Sequence, residues 1–164
     1  MTIDLSLLCD AATLDAGGKL NILGVFDRIH AREFPARHGR ICLVLRVAAT
    51  ATDAGEHKAE IRLVTPGGDD LVRLDGSLQV GPGRGDEVTR IPHVLNLDGV
   101  VFPEAGNYRF EVSLNGEHAV TLPLRLLAAP GAVSGSAGRS GGGGSTVGPE
   151  GVPIIFAPGG PAKA

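Results

Sequence analysis

The chain contains no tryptophan, one methionine, one tyrosine and five phenylalanines. With so few aromatics, a core must be built from aliphatic side chains, and a platform of stacked rings for single-stranded nucleic acid is disfavoured. Cysteine is scarce as well. Cys9 and Cys42 are the only two, and no Cys-x-x-Cys spacing exists. A disulfide framework and a cysteine metal site are both disfavoured, and the two read as small buried hydrophobes. Excess positive charge is missing: 15 Lys and Arg stand against 18 Asp and Glu, a net charge of −3. That balance argues against a nucleic-acid partner. Long apolar runs are absent too. No stretch approaches the roughly 20 apolar residues of a membrane helix. The N-terminal segment lacks the basic start and apolar run of a secretory signal, and the ending PGGPAKA matches no lipidation signal. The expectation is a cytoplasmic protein with no membrane partner.

What the chain has in plenty is glycine (25) and proline (11). A helical bundle would not carry so many breakers. Its 164 residues suit one ordinary domain. Twelve of the basic residues are Arg and three are Lys. With the Ala and Gly richness, this composition suggests a bacterial source with GC-rich coding.

One composition break divides the chain after Leu127. From Ala128 to Ala164 there are eleven Gly, five Pro and four Ser. Such a stretch buries too little apolar surface to offset the entropy of ordering it. The expected plan is a folded domain over 1–127 and a flexible, disordered Gly/Pro/Ser-rich C-terminal tail over 128–164.

The folded part alternates with period two, the pattern of half-buried strands. Ile41, Leu43, Leu45 and Val47 fall on one parity; so do Tyr108, Phe110, Val112 and Leu114, and Val120, Leu122, Leu124 and Leu126. Eight strands are expected near 3–11, 20–29, 40–49, 57–65, 70–80, 88–98, 107–114 and 118–126. Asn115-Gly116 between alternating runs is a type I′ hairpin signal, which places Gly116 in a structural role. Pro123 marks an edge or a bulge. The segment 31–39 reads as a crossover loop or a short helical turn. The fold class is all-β, an antiparallel immunoglobulin-like β-sandwich of about eight strands. Glu104-Ala105-Gly106-Asn107-Tyr108 has the form of a tyrosine corner, in which the phenol caps an upstream carbonyl. The alternative is that Tyr108 is only an amphipathic core residue.

Several segments carry a resemblance. They are Gly18-Lys19-Leu20-Asn21-Ile22-Leu23-Gly24-Val25-Phe26-Asp27-Arg28-Ile29, then Glu33-Phe34-Pro35, then Val101-Phe102-Pro103-Glu104 leading into Gly106, Tyr108 and Phe110. Together they resemble a family of small bacterial proteins known as a domain of unknown function. The resemblance covers about Leu5 to Leu126. It implies a compact β-sandwich and supplies no catalytic residues.

Candidate chemistry is sparse. The histidines are His30, His38, His57, His93 and His118, with no ligand spacing among them. His30, Glu33 and His38 share one connecting segment and could meet around a metal, against a reading as solvated loop residues. His93 shares a parity with Ile91 and Leu95, which suggests a satisfied, partly buried histidine. Asp27-Arg28 reads as an internal ion pair or as one residue in and one out. Gly138-Arg139-Ser140-Gly141-Gly142 matches the letters of a nucleophile elbow but lacks its strand and helix. Loop acids such as Asp69-Asp70 and Asp86-Glu87 leave calcium open. No catalytic residue, cofactor or metal is assigned. Val152-Pro153-Ile154-Ile155-Phe156-Ala157-Pro158 stands out as apolar within the tail. Val152, Ile154, Ile155 and Phe156 are the candidate protein-binding residues, suited to addition on a sheet edge. The functional expectation is a non-catalytic binding or scaffold module with a protein partner. The alternatives are a structural subunit of a homomeric assembly through self-association or, less favoured, a hydrolase or metal-binding protein.

Overall fold

The computed structural model describes residues 1–83 and 87–130. Eleven strands follow one another: β1 Thr2–Leu14, β2 Leu20–Phe26, β3 Arg28–Ala31, β4 Ala36–Arg37, β5 Arg40–Ala49, β6 Gly55–Val64, β7 Asp70–Val80, β8 Thr89–Asp98, β9 Val101–Phe102, β10 Gly106–Leu114 and β11 Glu117–Ala128. Among the described residues there is no α-helix, only a short 3₁₀ turn at Ala51–Asp53. Each strand foreseen from alternation is present. The run at 20–29 is divided at Asp27, and β4 and β9 are too short to leave a periodic signal.

Two sheets face each other. One has the order β2-β1-β5-β8 and the other β3-β11-β10-β6-β7; β4 and β9 form a small ladder. The inward parity meets in one core. Leu8, Ile41, Leu43 and Leu97 come from the first sheet; Leu63, Phe110, Val112, Leu124 and Leu126 come from the second. Fully burying side chains of this size is worth about 1.5–3 kcal/mol each, so this interface outweighs any surface contact. All ladders are antiparallel except β3 with β11, where Arg28 pairs with Arg125 and Ala31 with Ala128. The division at Asp27 is where the chain leaves the first sheet for the second. There the Asp27 carbonyl accepts the Arg125 N–H at 2.8 Å. Asp27 and Arg28 do form an ion pair, at 3.0 Å, but on the surface rather than inside.

Segment 31–39 is a crossover loop, as one of the two readings had it. It holds a cis Phe34–Pro35 bond, and β4 pairs with β9. Pro123 lies opposite Arg109 in the β10–β11 ladder. It is tolerated because β3 pairs with β11 only from Arg125 onward, leaving that flank open at position 123. The Asn115–Gly116 turn has positive φ at both residues, +53° and +82°. Asn115 also anchors the turn sideways, since its Oδ1 accepts the Lys58 N–H at 3.0 Å and its N–H reaches the Lys58 carbonyl at 2.8 Å.

Tyr108 makes the corner. Its ring is buried edge-on against Phe102, centroids 5.0 Å apart. Its hydroxyl donates to the Glu104 carbonyl at 2.9 Å and accepts the Glu104 N–H at 3.4 Å.

The outer face of the first sheet holds a second apolar cluster, Cys9, Cys42 and Val44, each with no exposed surface. Its cover is the hairpin β1–β2 itself. Beyond Cys9, β1 parts from β5, and Ala12, Leu20 and Ile22 pack onto the cluster. The hinge is Asp10 opposite Gly24. Gly24 has φ +67°, and a Cβ there would collide with the Asp10 carboxylate. The turn residues Gly18–Leu20 consequently stand against Arg46, Arg90 and Pro92.

Candidate functional site

Ion pairs occur on the outer faces of both sheets. On the second sheet, Arg62 contacts Glu60, Asp70 and Glu111, while Arg73 bridges to Glu60 and Arg109 to Glu111. On the first sheet, Arg46 and Arg90 both bind the Asp4 carboxylate, at 2.7 and 2.9 Å, holding it below the usual carboxylate range. Exposed pairs of this kind contribute about 0–1 kcal/mol each.

The histidines are separated by the fold. His30 lies on β3 opposite Leu127. The His38 ring lies tilted against Phe26, centroids 5.9 Å apart, and burial lowers its pKa. His57 bridges the Asp53 carbonyl at 2.7 Å and the Asn115 amide at 2.9 Å. Among the described residues, no three His, Cys, Asp or Glu side chains are grouped as a metal would require.

His93 departs from the expectation of a satisfied residue. It faces inward from β8, as its parity indicated, but its Nε2 is buried with no partner among the described residues. Burial alone lowers its pKa. The ring borders an apolar cavity of about 260 Å³ between the sheets. The polar requirement of this residue was not legible, because parity reports which way a side chain points and not what awaits it.

The contrast to the charged faces is β2. Among the described residues it is an edge strand, bonded only to β1. Its sequence LNILGVF carries no charge. Leu23 is 70% exposed and Val25 63%. The other edges are protected: β8 by Arg90, Pro92 and Asp98, β7 by Asp70, Arg73 and Asp75, and β3 by its four-residue length. An uncharged edge with exposed aliphatic side chains can accept another strand. Sequence reasoning did not single out Leu23 and Val25, because an alternating strand looks the same whether it lies at an edge or in the middle.

Of the residues singled out from the sequence, Tyr108 and Gly116 hold structural positions at the corner and the hairpin turn. Val152, Ile154, Ile155 and Phe156 lie outside the described residues, as do the glycine-rich stretch around Ser140 and the proposed tail from 131 onward. Pairing in the folded part runs slightly past Leu127, with the Ala129 N–H on the Ala31 carbonyl at 2.8 Å.

Comparison with curated proteins gives no match. A family model matches residues 4–127, close to the Leu5–Leu126 span of the resemblance. The chain therefore belongs to a family of unknown function, DUF6941.

Proposed function

We propose that the domain is a non-catalytic, immunoglobulin-like binding module of the cytoplasm that takes an extended, apolar segment of a partner protein along β2. The observation that carries this reading is the uncharged free edge with Leu23 and Val25 in solvent. The tyrosine corner and the parallel pairing of an early strand with the last strand support the immunoglobulin-like description. Main-chain hydrogen bonds along β2 supply affinity, and Leu23 and Val25 supply selectivity for apolar side chains. The acidic folded part, with seventeen acids and thirteen bases over 1–127, disfavours nucleic acid as the partner. Val152, Ile154, Ile155 and Phe156 are proposed as a second contact, a peptide that adds to a sheet edge of a partner.

The same edge supports the alternative of self-association. Antiparallel pairing of two copies about Leu23 would join two four-stranded sheets without opposing like charges. Leu23→Lys with Val25→Lys separates these readings from a scaffold that ignores β2. We expect the folded domain to keep its thermal midpoint, while a partner recovered by the native chain, or the native dimer mass, is lost. Equal recovery and equal mass in both forms would remove β2 from the function.

A further inference from the structure

We propose that the partner segment accepted by β2 carries a lysine or arginine where it passes Gly24, and that the Asp10 carboxylate recognises it. The inference rests on the reading of β2 as a docking edge and names what that edge selects. β2 has no charged side chain of its own. The charge comes from the neighbouring strand. Asp10 is the counterpart of Gly24 in β1, between the ladder pairs Cys9–Val25 and Ala11–Leu23. Gly24 has no side chain, and the Asp10 carboxylate stands in the space where a Gly24 Cβ would be. The carboxylate therefore lies over the edge strand, and both residues are exposed. On an added strand, the residue opposite Gly24 would place its Cβ about 4.5–5.5 Å from that position. A Lys or Arg side chain spans such a gap easily.

Asp10 is free for that role. Asp4 and Asp98, the other acids of the first sheet, are held by Arg46, Arg90 and Arg40, whereas Asp10 has no ion-pair partner among the described residues. His38 feels this carboxylate, but burial is the larger influence on the ring and keeps it neutral at ordinary pH. Leu23 and Val25 flank Gly24 in solvent, so the selected pattern is apolar, basic, apolar. A carboxylate at one fixed point along the edge also favours one register, since only one placement brings the base to Gly24. A second copy paired along β2 brings no base, because LNILGVF contains none. Charge complementarity thus favours a different chain as the occupant.

The test uses the full chain and three dye-labelled, end-blocked peptides, STVXVTS with X as Lys, Gln or Glu. The readouts are dye anisotropy and the amide signals of Leu23 and Val25. We expect saturable binding in the order Lys, Gln, Glu, with both amide signals shifting. Lys should be preferred over Gln by about two- to fivefold, the worth of one opposite-charge cross-strand pair. Asp10→Asn should keep the Gln peptide and erase most of that preference. Asp10→Lys should reverse the order. Leu23→Lys with Val25→Lys should lose the Lys and Gln peptides alike. Equal binding of all three, lost in that double variant, would leave β2 as the docking edge and overturn the role of Asp10. So would a preference undiminished in Asp10→Asn, which would belong to the charge of the domain at large. Stronger binding of every peptide to Asp10→Asn would mean that the carboxylate guards the edge instead of reading a partner. No saturable binding of any peptide would overturn both the docking edge and this proposal.

Discussion

Single side chains here are held by what surrounds them more than by their own propensity. Tyr108→Phe keeps the edge contact with Phe102 and deletes the hydroxyl that satisfies Glu104. We expect a loss of about 0.5–1.5 kcal/mol, read as a lowered urea midpoint with an unchanged slope. His93 gives the opposite sign. His93→Leu removes an unpartnered buried nitrogen, so the variant should be at least as stable as the native chain at pH 7.5. Its pH dependence follows from the same burial. The folded-state pKa lies below the ordinary 6.5, so below pH 6.5 the unfolded chain takes up a proton before the folded chain does. Stability is full above that value and declines as pH falls towards the folded pKa. His38, shifted the same way, shares this decline. Urea midpoints at pH 7.5 and 5.5 should therefore differ less in His93→Leu than in the native chain. Cys9 and Cys42 are direct cross-strand partners, both free and both without exposed surface. Burial pushes the Cys9 thiol up to about 12. Neither should react with a thiol reagent at pH 8 until the domain is unfolded. Their burial was legible from the sequence. Their adjacency was not, because nothing local to either cysteine names the strand it will pair with.

At the scale of elements, period-two alternation carried nearly all the information. Val120, Leu122, Leu124 and Leu126 fill the core as their parity requires, with Leu122, Leu124 and Leu126 buried. Alternation has no symbol for a change of sheet. Val25, Phe26, Arg28 and Ile29 read as one strand, yet Asp27 passes the chain from one layer to the other. Nor does it mark a hairpin that bends back on its own sheet. That bend depends on Gly24, so Gly24→Ala should cost about 1–2 kcal/mol from the left-handed backbone alone. It should also lift the hairpin tip from Cys42 and Val44. The sensitive measurement is thiol labelling of Cys42, which should become detectable in the native state. Labelling as slow as in the native chain would mean that the hinge lies elsewhere.

For the whole molecule, the readable part was the layered plan: few aromatics, aliphatic alternation and glycine-rich turns select a sandwich. The missing part was closure, which depends on pairings distant in sequence. One of these has a consequence for how the chain reaches its fold. β3 lies in the first quarter of the domain, but its ladder partner β11 is the last strand among the described residues. During synthesis β3 therefore waits, with its core residue Ile29 uncovered, until almost all of the domain has emerged. Loop-closure entropy for such a contact is among the largest the chain meets, and it must be overcome before the contact contributes stability. The first sheet can assemble once β8 is out, whereas the second stays open until β11 arrives. A chain arrested before Glu117 would thus present the edge of β10 and the apolar row of Phe110 and Val112 to its neighbours, and premature release is the stage at which this protein is most exposed to misassembly.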